Sequence, residues 1–328
     1  MTSAPAAEPD FLHQAERYRG ELRLYCYRML GSSHDSDAQV REVFARAGRD
    51  QAAASDPARL RAWLYRRATE LCLAELNRRR ELRGAATEGV DPSELTDDDL
   101  TAERERWPAP WVEPCPDSWW QQVSGDAPLD RRHSVGLSFL TALQQLPPPQ
   151  RAALVLRDAV GLSADDAAAA IGLDTLAAEA AATQARASLA HQLGTPRPTG
   201  ADQVLLARYA RAWHDGDVDA LIALLHDELH TSMPPSPTSL VGRDANLAFY
   251  RQMFGDTRKG PVRMRRVAAN GQPAFAFYRA AAPDQPCALR AIQLVGLRDG
   301  KIARIDQFML PMVFPLFGVP GEISLETR

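Results

Sequence analysis

Apolar positions recur every three or four residues from about residue 8 to about residue 83. Leu12, Tyr18, Leu22, Tyr25, Cys26, Met29 and Leu30 form one stripe, as a helix with a single buried face requires. Residues 31–35 predict a turn, with Asp35 as N-cap of a second helix through Val40, Phe44 and Ala47. A third helix is expected over 57–80, burying Leu60, Trp63, Leu64, Ala68, Leu71 and Leu76 and ending in the basic run Asn77, Arg78, Arg79, Arg80. Between 88 and 131 the periodicity vanishes. The segment opens acidic, then becomes WPAPWVEPCPDSWW. That composition predicts an extended linker anchored by Trp107, Trp111, Trp119 and Trp120.

Residues 142–190 read as a helix, a Gly-Leu-Ser turn, a short helix, an Ile-Gly-Leu turn and a third helix. This is the layout of a helix-turn-helix, whose last helix enters the DNA major groove. The Gly- and Pro-rich run 194–200 follows as a hinge. From residue 201 the pattern becomes α+β. Two helices broken at Asp215 and Gly216 precede short runs at 229–233, 262–267, 274–278, 288–297 and 302–308. The sequence LRDGKI predicts a hairpin with an Asp-Gly turn. A curved sheet against helices is expected to bury one face made of Ile292, Leu294, Ile302, Ile305 and Phe308. The run MLPMVFPLFGVP holds three prolines, so it is neither a regular helix nor a central strand, and docking is its expected use.

Composition adds limits more than leads. At 328 residues two or three domains are expected. No apolar run spans a bilayer and the N-terminus lacks a signal pattern, so the expectation is a cytoplasmic protein without membrane contact. Cys26, Cys72, Cys115 and Cys287 are scattered, which favours free thiols over disulfides or zinc. No metal and no cofactor is expected. The net charge of −4 offers nucleic acid no global attraction, so DNA binding needs a local basic face.

The runs YRGELRLYCYRMLGSSHDSD and LRAWLYRRATELCLAEL resemble region 2 of extracytoplasmic-function (ECF) sigma factors. LQQLPPPQRAALVLRDAVGLSADDAAAAIG resembles region 4 of that family. From Leu205 the tail, with SMPPSP, GRDA, ANGQPAFAFY and FMLPMVFPLFGVP, resembles the SnoaL-like domain of a subgroup. The resemblance implies a multi-domain chain. All-α sigma region 2 (8–87) and region 4 (helix-turn-helix, 132–194) modules flank the 88–131 linker, and an α+β SnoaL-like, nuclear-transport-factor-2-like cone domain covers 201–328. Core RNA polymerase and promoter DNA are the implied partners. Region 2 docks on polymerase and opens the −10 element, region 4 reads the −35 element, and the cone serves as a regulatory tail.

Carried onto this sequence, Asp35, Asp37, Arg41 and Glu42 are the polymerase-binding candidates. Arg61, Arg66, Arg78, Arg79, Arg80, Thr183, Gln184 and Arg186 are the DNA-binding candidates. Several positions depart from the family pattern. Ala38 replaces a carboxylate, Gly48 a tryptophan and Glu70 an Asn-like residue, while Glu179 and alanines fill the first turns of the recognition helix. These departures motivate an alternative. A repurposed scaffold would have lost DNA binding, and its cone pocket would bind or convert a small molecule. Asp306 and His230 would then be the acid/base pair, and Tyr250, Tyr278, Arg290 and Gln307 would orient the ligand.

Overall fold

The computed structural model describes residues 13–49, 57–82, 112–121, 123, 135–190, 199–236, 238–255 and 260–325. These divide into two compact units. The first takes the described residues up to 82, then 112–113 and 118–190, and the second takes 114–117 and 199–325. Trp107 and Trp111 lie outside the described residues.

In the first unit, α1 (Arg19–Leu30), α2 (Ser33–Arg49) and α3 (Pro57–Leu82) pack around Leu22, Tyr25, Leu60, Leu64 and Tyr65. The rings of Tyr25 and Tyr65 meet edge to face at 5.3 Å. Helix α2 begins earlier than the sequence suggests. The Ser32 hydroxyl accepts from the Asp35 N–H at 3.0 Å, so Ser32 is the cap and Asp35 moves into the first helical turn. The cap has a second layer that local sequence could not reveal. The buried Glu113 carboxylate accepts from Ser32 Oγ (2.9 Å), Ser33 Oγ (3.3 Å) and the His34 N–H (3.0 Å). These donors cluster at the positive end of the helix dipole, where an anion is favoured. Of the expected tryptophan anchors, Trp119 on the short α4 (Ser118–Gln121) is buried, edge-on to Tyr27 at 6.1 Å.

The helix-turn-helix follows as α5 (Leu137–Gln145), α6 (Pro148–Leu154) running into a π-helical turn (Val155–Val160), α7 (Ala164–Ile171) and α8 (Thr175–Leu189). Ser163 caps α7 and Asp174 caps α8, each accepting a backbone N–H three residues on. Buried Ala167, Ala168, Ala170, Ala178, Ala182 and Ala185 are small enough to let these helices approach closely.

This module meets α1 through α5, α6 and the π-helical turn, and polar contacts gather at the end of α1. The chain leaves α1 through Gly31 at φ 66°, a left-handed conformation natural to glycine, and a Cβ there would lie 3.1 Å from the Gln144 side chain. Gln144 Nε2 donates to the Arg28 carbonyl at 3.0 Å, and Arg151 Nη1 donates to that of Met29. Arg79 Nη1 donates to the Leu30 carbonyl at 3.0 Å, and the Glu113 N–H to that of Gly31 at 2.8 Å. Four sequence-distant side chains or backbone groups thus satisfy the end of one buried helix.

In the second unit, α9 (Gly200–Asp215) starts at a capping box between Thr199 and Asp202. Gly200, expected in the hinge, is therefore helical. The break at Gly216 and the start of α10 (Val218–Ala223) at the Asp217 cap match the sequence reading. The sheet contains β1 (Leu225–Ser232), β2 (Ser239–Val241), β3 (Val262–Ala269), β4 (Gln272–Ala280), β5 (Cys287–Arg298), β6 (Lys301–Phe308) and β7 (Glu322–Ile323). Its order is β2-β1-β6-β5-β4-β3, with β7 pairing the start of β5. The β1–β6 pair is parallel and the other pairs are antiparallel. Register shifts within the β4–β5 and β5–β6 ladders bend the sheet. Helices α9, α10 and α11 (Arg243–Gly255) fill one side. The predicted hairpin turns at Asp299 and Gly300, both with positive φ.

One expectation about this sheet is corrected. Ile305 pairs with Val295 inside the helix-packed core, whereas Ile292 pairs with Phe308 and Leu294 with Asp306 on the alternate face. The five apolar residues do not share a face. Both sides of the β5–β6 ladder are buried, which removes the polar alternation that would have betrayed the split. The proline-rich run forms a 3-10 helix (Pro311–Phe317), with Val313 buried. All four cysteines are free and buried, as expected.

Replacing Glu113 by Ala leaves three donors at the start of α2 without their acceptor. We expect a loss of about 1–3 kcal/mol in denaturant unfolding, with Glu113→Gln milder because its amide oxygen still accepts. An unchanged unfolding midpoint for Glu113→Ala would show that the long-range cap contributes nothing.

Candidate functional site

Helix α3 carries seven arginines against three glutamates, a local charge of +4 in a chain whose total is −4. A local excess of positive charge of this kind was the condition that the sequence set for a DNA-binding face. Most of its arginines are internally paired. Arg61 meets Glu21 at 3.0 Å and the Val160 carbonyl at 2.8 Å. Arg66 meets Glu70 at 3.3 Å, and Arg78 meets Glu75 at 2.8 Å. Arg79 meets Glu75 at 2.8 Å and also Asp35. Burial works against the charge on Glu75, yet hydrogen bonds from Arg78 and Arg79 hold its pKa below the ordinary carboxylate value. Arg80 is exposed. Glu70, which stands where the family pattern has an Asn-like residue, is compensated by both Arg66 and Arg67 (2.6 Å).

The polymerase-binding candidates gather on α2. Asp35 pairs with Arg79, Asp37 with Arg23 (3.1 Å) and Arg41, and Glu42 with Arg46 (2.8 Å). On α8, Arg186 forms a two-pronged pair with Asp158 at 2.8 and 2.7 Å. Gln184 accepts from Gln150 at 2.9 Å, and Thr183 donates to the Glu179 carbonyl one turn back. Helix α8 carries one acid and one base, so its net charge is zero.

The cone candidates are split between two faces. Asp306 and His230 lie on the sheet face opposite the helix-packed core, in register with Ser232 and Arg304 on the parallel β1–β6 pair. Arg304 stands between them, 2.7 Å from Asp306 Oδ2 and 3.3 Å from His230 Nδ1. Because Arg304 donates to Nδ1, the imidazole proton sits on Nε2 and points at Ser239 Oγ, 2.7 Å away. His230 is therefore a donor to Ser239 and not its base. Burial and the Arg304 charge push the His230 pKa down, with Asp306 opposing them. Both Asp306 oxygens accept, one from Arg304 and the other from Ser232 Oγ at 2.7 Å. The group acts as an anchored anion.

The four ligand candidates also separate. Tyr250 is in the core against Trp213 at 5.8 Å, its phenol pKa pushed up to about 12 by burial. Gln307 accepts from Gln293, which in turn accepts from the Tyr209 hydroxyl, on that same inner side. Tyr278 donates to the Pro320 carbonyl at 2.9 Å, and Arg290 is exposed. Tyr250 and Gln307 share the inner side. Asp306, His230, Tyr278 and Arg290 do not converge with them.

Comparison with known proteins decides the family. SigG of Mycobacterium tuberculosis, an ECF RNA polymerase sigma factor, is 35% identical over 96% of this chain and 85% of its own length. This chain belongs to the ECF RNA polymerase sigma factors. Within it, residues 136–189 match the family described as sigma-70, region 4, and residues 206–305 match the SnoaL-like domain. SigJ of the same organism, also named an ECF sigma factor, is 24% identical over 91% of each chain. Its crystal structure superposes with a TM-score of 0.56 at 21% identity, over 92% of this chain and 97% of SigJ, so the fold is shared end to end. No helix among the described residues is long and apolar enough to cross a membrane.

In this sigma factor several residues that sequence reasoning passed over hold the site in place. Glu21 anchors Arg61, and Arg157 holds Glu179 through Nε at 2.6 Å. Asp158 holds Arg186, and Arg304 separates His230 from Asp306. Arg157 and Asp158 carried a signal, since they are charges set in the apolar run ALVLRDAV. Glu21 carried none, because Arg61 is 40 residues away, and of the Arg304 partners only Asp306 is near in sequence while His230 is 74 residues away.

His214 accepts the Met264 N–H through Nε2 at 2.9 Å, which only a neutral ring can do. Burial and Arg263 lower its pKa from 6.5, as burial and Arg304 do for His230. The unfolded chain then binds protons that the folded cone refuses, so stability falls as pH drops below the ordinary histidine value. Thermal unfolding from about pH 7.5 to 5.5 should show a declining Tm, and His214→Gln should flatten the slope. A Tm that rises on acidification contradicts this assignment.

Proposed function

We infer that this sigma factor directs promoter-specific transcription initiation by core RNA polymerase in the cytoplasm, with the SnoaL-like cone as a fused regulatory tail and not an enzyme. One observation carries the reading: end-to-end relatedness to an ECF sigma factor, together with a helix-turn-helix over the matched residues. The charge of α3 supports it. Arg61, Arg66, Arg78, Arg79 and Arg80 would hold promoter phosphates, while Asp35, Asp37, Arg41 and Glu42 on α2 would meet polymerase. Internal pairing does not prevent this at the exposed pairs, whereas Arg61 and Arg79 also hold the Val160 and Leu30 carbonyls. Exposed pairs such as Arg66–Glu70 contribute ~0–1 kcal/mol and exchange readily for a phosphate.

The catalytic alternative is less favoured, since the hydrogen bonds of Asp306 and His230 are already matched within the sheet by Ser232, Arg304 and Ser239.

Run-off transcription with core polymerase and a promoter library tests the reading. A promoter-dependent transcript is expected from the full chain. Glu70→Gln should raise promoter affinity by about two- to fivefold, since it releases Arg66 and Arg67 from an exposed carboxylate. If the chain neither binds core polymerase nor initiates on any template, the proposal fails.

A further inference from the structure

The recognition helix carries a single arginine, Arg186, late in the helix, and no lysine or asparagine. On α8 the outward face carries Leu176, Glu179, Ala180 and Thr183, at helical spacings of three and four, while Ala178, Ala182 and Ala185 turn inward. Arg186 is bound to Asp158 and Gln184 to Gln150. Two features of this face bear on base recognition. Leu176 is 82% exposed, the most exposed large apolar side chain among the described residues. Glu179 is held at Oε1 by Arg157 Nε, and Arg157 is itself fixed to the Leu162 carbonyl. A bare carboxylate at a groove would be repelled by phosphates. Arg157 cancels that charge and fixes the side chain, leaving Oε2 to accept another donor.

Both features match the pyrimidine edge of the major groove, where thymine presents its C5-methyl and cytosine its N4 amino donor. Resting on the sigma-factor reading, we propose that region 4 of this chain selects its upstream element through pyrimidines. Leu176 packs on a thymine methyl, and Glu179, positioned by Arg157, accepts from a cytosine amino group. Purines on the opposite strand are specified only through their pairing.

The test uses the full-length chain bound to core polymerase, with duplexes selected from a library randomised upstream of a fixed downstream promoter. Each thymine of the selected element is then replaced by uracil, which pairs identically but lacks the methyl. With wild-type protein, uracil at one or two positions should lower affinity about fourfold, the effect of one buried carbon. Leu176→Ala should bind thymine and uracil duplexes equally. Glu179→Ala, and more weakly Arg157→Ala, should relax the preference at a cytosine. The uracil arm needs no variant, so misfolding cannot mask it. Equal affinity of wild-type protein for thymine and uracil duplexes overturns the proposal. So does a loss for Leu176→Ala that is uniform across sequences, or that appears in polymerase binding without DNA, which would make this face structural or a protein contact. If the holoenzyme initiates but shows no upstream preference, the inference fails and the sigma reading stands. Absence of initiation on every template removes both.

Discussion

The first unit is organised around the carboxyl end of α1. A helix leaves its last carbonyls without intrahelical donors, and burying them unpaired costs on the order of 1–3 kcal/mol each. Here Arg28, Met29 and Leu30 are buried, and their carbonyls accept from Gln144, Arg151 and Arg79. The Gly31 carbonyl accepts from Glu113, whose carboxylate then caps the start of α2. Arg151 also binds the Gln144 and Leu146 carbonyls, so a single buried guanidinium closes the α5–α6 turn and fixes it to α1. Positive charge is favourable at this end of a helix dipole, which explains why arginine fills the role.

That arrangement shapes how the basic face is displayed. Arg79 serves both the α1 carbonyl end and Asp35, and Arg61 links Glu21 to the π-helical turn before α7. The same arginines that suit phosphate are thus part of the packing. On α8 the pattern differs. Charges there are neutralised in place, and what remains outward is apolar or held by a neighbour. Helix α3 carries a net positive charge and α8 none, in a chain of net negative charge.

Much of the fold was legible because its signals are local. The stripe through Leu22, Tyr25 and Met29, the turns at Gly161 and Gly172, the break at Gly216 and the Asp299-Gly300 hairpin all announce themselves within a few residues. What stayed hidden depends on residues far apart in sequence. Ser32 outcompeted Asp35 as cap because Glu113 reinforces it from 81 positions away. The sidedness of Asp306 and His230 escaped because a strand buried on both faces loses its alternation, so being flanked by Ile305 and Phe308 says nothing about which face an acid occupies. The DNA-contact candidates were named by type and position. Arg61, Arg79 and Arg186 have internal partners on other helices, out of reach of local pattern.

Hydrogen exchange of the free chain, wild type against Arg151→Met, tests the central claim most directly. If the carbonyl end of α1 is the shared joint of the first unit, amides in the 31–35 turn and in Pro148–Leu154 lose protection together. Those of the cone should be unchanged. Loosening confined to Pro148–Leu154, with the 31–35 turn as protected as before, would contradict the account and reduce Arg151 to a local fixture of the helix-turn-helix.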